Sequence, residues 1–205
     1  MHQYLKDTEY ATQNLLRLAT EEEQQLRELS GQLASAEARL RVHQWDFQTS
    51  DLNDDFSDAY VMAAFGRAAK ASQDAERLRS EVAMLQASVG AHQQATQAVA
   101  GAVLQIAKQG ISLVHGGLNA APTGRTIGSL CIRDIIWQGR NQSMHYEEGN
   151  FKKALTDLFA TLESEQGTHF SLAAHPQQNR AKQIVELLGW EDYATYARDM
   201  QTLLP

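Results

Sequence analysis

Residues 75–106 read AERLRSEVAMLQASVGAHQQATQAVAGAVLQI. Within them Ala75, Leu78, Val82, Leu85, Val89, His92, Thr96, Val99, Val103 and Ile106 follow one another in steps of three and four. An α-helix turns once in about 3.6 residues, so these side chains share one stripe. A stripe this long is the seam of a helix paired with another helix, as in a coiled coil. It predicts a helix from about Asp55 to Val114. One polar residue in such a seam sets register, and His92 is read in that role. Gly90 and Gly101 are expected to mark bends or fraying.

Toward the N-terminus the same periodicity recurs. Leu15, Glu22, Leu26, Leu29, Leu33, Ala36 and Leu40 step by three and four apart from one seven-residue gap, which predicts a helix from about Gln3 to Trp45. Phe47 to Asp55 breaks the pattern with turn and N-cap residues. Two long helices joined by a short turn predict an antiparallel hairpin over residues 1–115. The same seams would also pair between two chains.

The chain of 205 residues is 43% hydrophobic and 21% charged, which provides for a core and excludes a disordered polymer. A single cysteine, Cys131, excludes an internal disulfide framework and a cysteine zinc cluster. The net charge is −7; residues 1–60 carry 12 acidic and 5 basic side chains, and residues 61–205 carry 13 of each. That charge argues against coating nucleic acid by bulk electrostatics and leaves room for a local site. No signal-peptide pattern opens the chain, and the apolar window from Ala98 to Val114 is interrupted by Gln105, Lys108 and Gln109. The expectation is a cytoplasmic protein with no membrane partner, no metal and no cofactor.

Residues 116–205 form the second part, opening on a connector. Gly116, Gly117, Pro122 and Gly124 forbid a continuous helix there, and no phosphate-loop pattern surrounds them. Thr126 reads as the N-cap of an apolar helix through Ile127, Leu130, Ile132, Ile135, Ile136 and Trp137. A further helix carries Phe151, Leu155, Leu158, Phe159 and Leu162 and ends at Gly167; two short helices split at Gly189 close the chain. No segment shows strand periodicity, so the fold class is all-α.

The chemistry lies after the apolar helix. Arg140, Asn141, Ser143, His145 and Tyr146 form a dense polar cluster beside the expected core. Asn141 and His145 are four apart and share a helical face, so Asn141 is placed to hydrogen-bond the imidazole. Arg140 and His145 are five apart, roughly 140° around a helix, so one copy does not readily aim both at one target. Two copies about a two-fold axis would bring both pairs into one cleft. Arginine grips phosphate through a planar fork, and histidine moves protons near neutral pH. Together, without a carboxylate cage for a metal, they suit RNA cleavage by the 2′-hydroxyl. Arg133, Ser143 and Tyr146 are the accompanying substrate-binding positions, and residues 123–153 carry five basic and three acidic side chains. The plain alternative is that Arg140 pairs with Asp134 or Glu147 and that His145 is a satisfied buried histidine.

Arg140-Asn141-Gln-Ser-Met-His145, preceded by Ile-Arg-Asp-Ile-Ile-Trp, resembles the Arg-x4–6-His motif of the HEPN family, including the polar residue after the arginine. The resemblance covers about residues 126–160. It implies a compact helical bundle following the hairpin, a homodimer with the motif at its interface, and metal-independent endoribonuclease activity. Arg140 and His145 would be catalytic, with Asn141 in support. It also implies service as a toxin or an anti-phage effector, with an antitoxin or defence protein as partner. The alternative is a non-catalytic helical module of the same kind that binds a nucleotide or a protein.

Overall fold

The computed structural model describes residues 1–49 and 58–205, and side chains outside 46–61, 63, 64 and 68. The fold is all-α, with one two-stranded ribbon. Its helices are α1 (Gln3–Thr49), α2 (Asp58–His115), α3 (Ile132–His145), α4 (Lys153–Gln166), α5 (Ala181–Leu188) and α6 (Tyr193–Leu203). The turn expected over residues 47–55 lies, from residue 50, outside the described residues. Two compact units divide the chain: Met1–Glu22 with Gln94–Pro205, and Glu23–Gln93. The connector at residues 116–125 therefore joins elements of a single unit.

In the unit Glu23–Gln93, α1 and α2 pair within one chain. Arg39 meets Glu81 at 2.9 Å and Gln86 donates to Glu37 at 3.4 Å. Numbers rise along one helix as they fall along the other, so the pairing is antiparallel. Ala36, Ala75, Leu78 and Val82 of the two seams are buried between them. Burying a leucine stabilises by about 1.5–3 kcal/mol, which makes Leu78 the main apolar anchor of this stretch.

In the other unit α2 is surrounded, and its buried face widens. Ala100, Val103, Leu104, Ala107 and Ile111 join Leu5 and Leu16 of α1 in a core with α3, α4, α5 and α6. Val99 and Ile106 of the expected seam are only half-buried, because several helices cover α2 where one partner was expected. The glycines of α2 are not breaks. The helix runs unbroken through Gly90 and Gly101, and a Cβ at Gly101 would touch the Ser143 side chain at 3.6 Å. Gly110 accepts the ring of Tyr4, which a Cβ would meet at 2.6 Å, and the Tyr4 hydroxyl donates to the Ile106 carbonyl at 2.7 Å.

The expected start of the motif helix is corrected. Thr126 is not an N-cap: Thr126–Ile127 (β1) pairs antiparallel with Leu130–Cys131 (β2), and α3 begins at Ile132 with Cys131 as its N-cap. Gly128-Ser129 is the two-residue loop, with Gly128 at φ +58°, a conformation glycine adopts without strain. The Glu165 carboxylate of α4 accepts from the Ser129 amide at 3.1 Å and is held below its ordinary value by the Ser129 hydroxyl and amide together.

Buried Asp199 on α6 ties this region together. It accepts two bonds from Arg125, at 2.7 and 2.8 Å, and one from the Trp190 indole at 2.9 Å. Arg125 also donates to the Leu188 carbonyl at 2.7 Å. A bidentate charge pair locks connector, α5 and α6 in one arrangement. As read from sequence, α4 ends at Gly167 and α5 gives way to α6 across Gly189.

Candidate functional site

The whole motif lies on α3, which packs against α4 and α5 through Ile132, Ile135 and Ile136. Its close approach to α5 needs Gly139, where a Cβ would stand 2.9 Å from Ile184 Cγ2. That contact fixes which way the next turn, residues 140–145, presents its side chains.

Arg140 is half-buried and turned toward α2, where its Nε donates to Gln105 Oε1 at 2.5 Å. Its Nη1 donates to Asn141 Oδ1 at 3.4 Å. Both acceptors are neutral amides. Arg125 is bound to Asp199, Arg133 to Asp134 at 2.8 Å and Lys153 to Asp157 at 2.6 Å. Among the described residues Arg140 has no carboxylate partner, and the alternative of an ion pair with Asp134 or Glu147 is absent. A guanidinium bonded only to neutral acceptors is not charge-compensated as it would be by a carboxylate, so it keeps its capacity to pair with an anion.

His145 is the last residue of α3, with its side chain 52% exposed. The expected bond from Asn141 is not formed. Asn141 Nδ2 reaches Gln138 Oε1 at 3.4 Å, and His145 Nδ1 lies 2.6 Å from Glu148 Oε1 instead. A carboxylate is the stronger acceptor, and the turn Tyr146–Glu148 that follows the helix carries Glu148 within reach. With Nδ1 protonated and directed at Glu148, Nε2 is the free acceptor, which is the form a general base needs. Glu148 is the partner of His145 that reading the motif alone passes over; its signal is a carboxylate three residues after the histidine.

The accompanying positions fall differently. Ser143 is buried against Gly101 and donates to its own helix at the Arg140 carbonyl, 2.9 Å away. Arg133 is spent on Asp134 and on the Ala121 carbonyl at 2.9 Å, which anchors the connector. Tyr146 is half-buried beside Glu147, whose carboxylate accepts from the phenol and holds it above the ordinary tyrosine range.

A polar run from the far end of the chain lies along the same turn. Buried Gln142 donates to the Gln178 carbonyl and accepts from the Arg180 amide, both at 2.8 Å. Asn179 donates to the Ser143 carbonyl at 3.4 Å, and Gln177 to the Glu147 carbonyl at 3.2 Å. Residues 177–180 thus form a second wall beside α3, which the motif does not announce because 36 residues separate Gln142 from Gln178. Among the described residues no helix is long and apolar enough to cross a membrane. Compared with family models, with curated proteins and with solved structures, the chain finds no match.

Proposed function

We propose that this chain is a metal-independent endoribonuclease of the HEPN kind, active as a dimer that joins two copies of the Arg140–His145 motif. The observation that carries this reading is the contrast between its cations. Half-buried Arg140 is held by amides alone, while Arg125, Arg133 and Lys153 in the same stretch pair with carboxylates and Lys152 is exposed to solvent. Beside it, Glu148 orients His145 as a base. Within one chain the two residues bond to different elements, α2 and the turn after α3, which is why a second copy is needed to complete a cleft.

In this mechanism His145 Nε2 takes the proton of a ribose 2′-hydroxyl. The 2′-oxygen attacks the adjacent phosphorus, and the bond to the 5′-oxygen breaks. The second copy's imidazole, in its protonated form, returns a proton to that oxygen. Arg140 stabilises the charge that builds on the phosphorane. The products are a 2′,3′-cyclic phosphate and a 5′-hydroxyl, and DNA is not a substrate. Service as a toxin or anti-phage effector, with an antitoxin or defence partner, belongs to the same proposal.

Purified protein should cleave RNA in EDTA, and His145→Ala should lower the rate by at least about a hundredfold. Cleavage that survives the substitution, or is absent, removes the catalytic assignment. Saturable RNA or nucleotide binding with no turnover would select the non-catalytic module instead.

A further inference from the structure

Arg180 is the one arginine among the described residues that is nearly enclosed, at 6% exposure, and it has no carboxylate partner. Of its three side-chain nitrogens, Nη2 donates to Gln178 Oε1 at 2.6 Å, Nε is sealed without an acceptor, and Nη1 makes no hydrogen bond. A buried cation without a counter-charge is costly, and proteins normally pair it. Here burial alone acts on the guanidinium and pulls its pKa down. The residue is held there by its backbone. Its amide is clamped by Gln142, and its carbonyl caps the Ile184 amide at 3.1 Å as α5 begins.

The surroundings are polar and hold no carboxylate bonded to the guanidinium. Gln178 turns its side-chain oxygen to Nη2, while Gln177 and Asn179 donate to the Glu147 and Ser143 carbonyls and, with Gln142, tie the run to the Arg140–His145 turn. Gln177, which follows Pro176, holds φ at +53°, the only non-glycine with positive φ among the described residues. Left-handed backbone in a residue with a Cβ is strained, and such strain gathers where a chain is positioned for a ligand.

We propose that Arg180 binds a phosphate group, and that in the working enzyme this is a phosphate of the RNA backbone next to the one that is cut. The naming of RNA rests on the nuclease reading; the phosphate site itself does not. Arg180 is a substrate-binding residue in this scheme and takes no part in proton transfer.

The test uses the full chain, with inorganic phosphate and an uncleavable 2′-O-methyl RNA as separate probes. Saturating phosphate should raise the wild-type Tm by about 3 °C. Arg180→Met keeps the apolar stem and removes the charge. In phosphate-free buffer it should be at least as stable as wild type, because an unpaired buried cation is gone, and it should show no phosphate response. Arg180→Lys should recover part of that response. Affinity for the 2′-O-methyl RNA should fall by about tenfold or more in Arg180→Met. A phosphate response that survives in Arg180→Met, or is missing in wild type, overturns the site. An Arg180→Met protein that is less stable than wild type without phosphate, or fails to fold, overturns it in favour of a structural role. A lost phosphate response with undiminished RNA binding overturns the RNA assignment and leaves a site for free phosphate or a nucleotide. If both probes respond as expected but no RNA is ever cleaved, the nuclease reading fails and the phosphate site stands.

Discussion

Tyr196 shows how a single buried group sets a pH limit. Its ring is fully enclosed, stacked edge-on against Trp190 at 4.8 Å, and its hydroxyl meets no hydrogen-bond partner. Burial pushes its pKa well above the ordinary value near 10. In the unfolded chain the phenol loses its proton above about pH 10, while the folded protein retains it. The unfolded state then binds fewer protons, so stability is fully present below pH 10 and falls as pH rises beyond it. Tyr196→Phe should fold with unchanged or slightly higher stability at pH 7 and lose less on going to pH 11, read by thermal unfolding at both values. Glu148 makes the functional counterpart. Glu148→Gln should lower RNA cleavage by roughly 10- to 100-fold while leaving the fold intact, because it releases the imidazole from its working tautomer. Legibility at this scale follows distance along the chain. Glu148 lies three residues from His145 and was within reach of inspection. Gln105, 35 residues before Arg140, and Arg180, in the tail that reads as two short helices, take their roles from tertiary packing alone.

At the scale of elements, the long helices were legible because their apolar spacing repeats over many turns, and repetition averages out local exceptions. The ribbon at Thr126–Cys131 was not, because two-residue strands are too short to show alternation. Gly128-Ser129 was its one sign, a pair that favours a two-residue hairpin loop. The packing roles of glycines within helices were illegible for a related reason. Gly101, Gly110 and Gly139 serve close approaches by Ser143, Tyr4 and Ile184, and the partners lie far away in sequence. Gly139→Ala puts this to the test. The added methyl would meet Ile184 at 2.9 Å and force α3 from α5, so the variant should lose about 1–3 kcal/mol in chemical denaturation. Since the same contact aims the motif turn, RNA cleavage should drop along with stability.

For the whole molecule, the two units make separable claims on stability. Leu78→Ala should cost about 2–5 kcal/mol, and hydrogen exchange should place the loss in residues 23–93. Protection of α3 to α6 that falls equally would show that the units unfold as one. Charge is divided along the chain at a different place: the acidic excess lies within residues 1–60, while the motif and residues 177–180 belong to a balanced stretch. If the proposed nuclease reading holds, RNA cleavage by so acidic a chain should depend only mildly on salt, read as the rate from about 50 to 200 mM salt.

The Tyr193 hydroxyl donates to the Leu5 carbonyl at 3.1 Å across 188 residues, and Leu5 and Leu16 sit in the same core as α3 to α6. On a ribosome adding about 5–20 residues per second, the first helix waits roughly 10–40 s for the surface that will cover it. During that wait only α2 is on hand to cover its leucines, and the part of their surface that α3 to α6 will bury stays open. The turn bearing Arg140 and His145 likewise acquires its second wall only after residue 180 has been made.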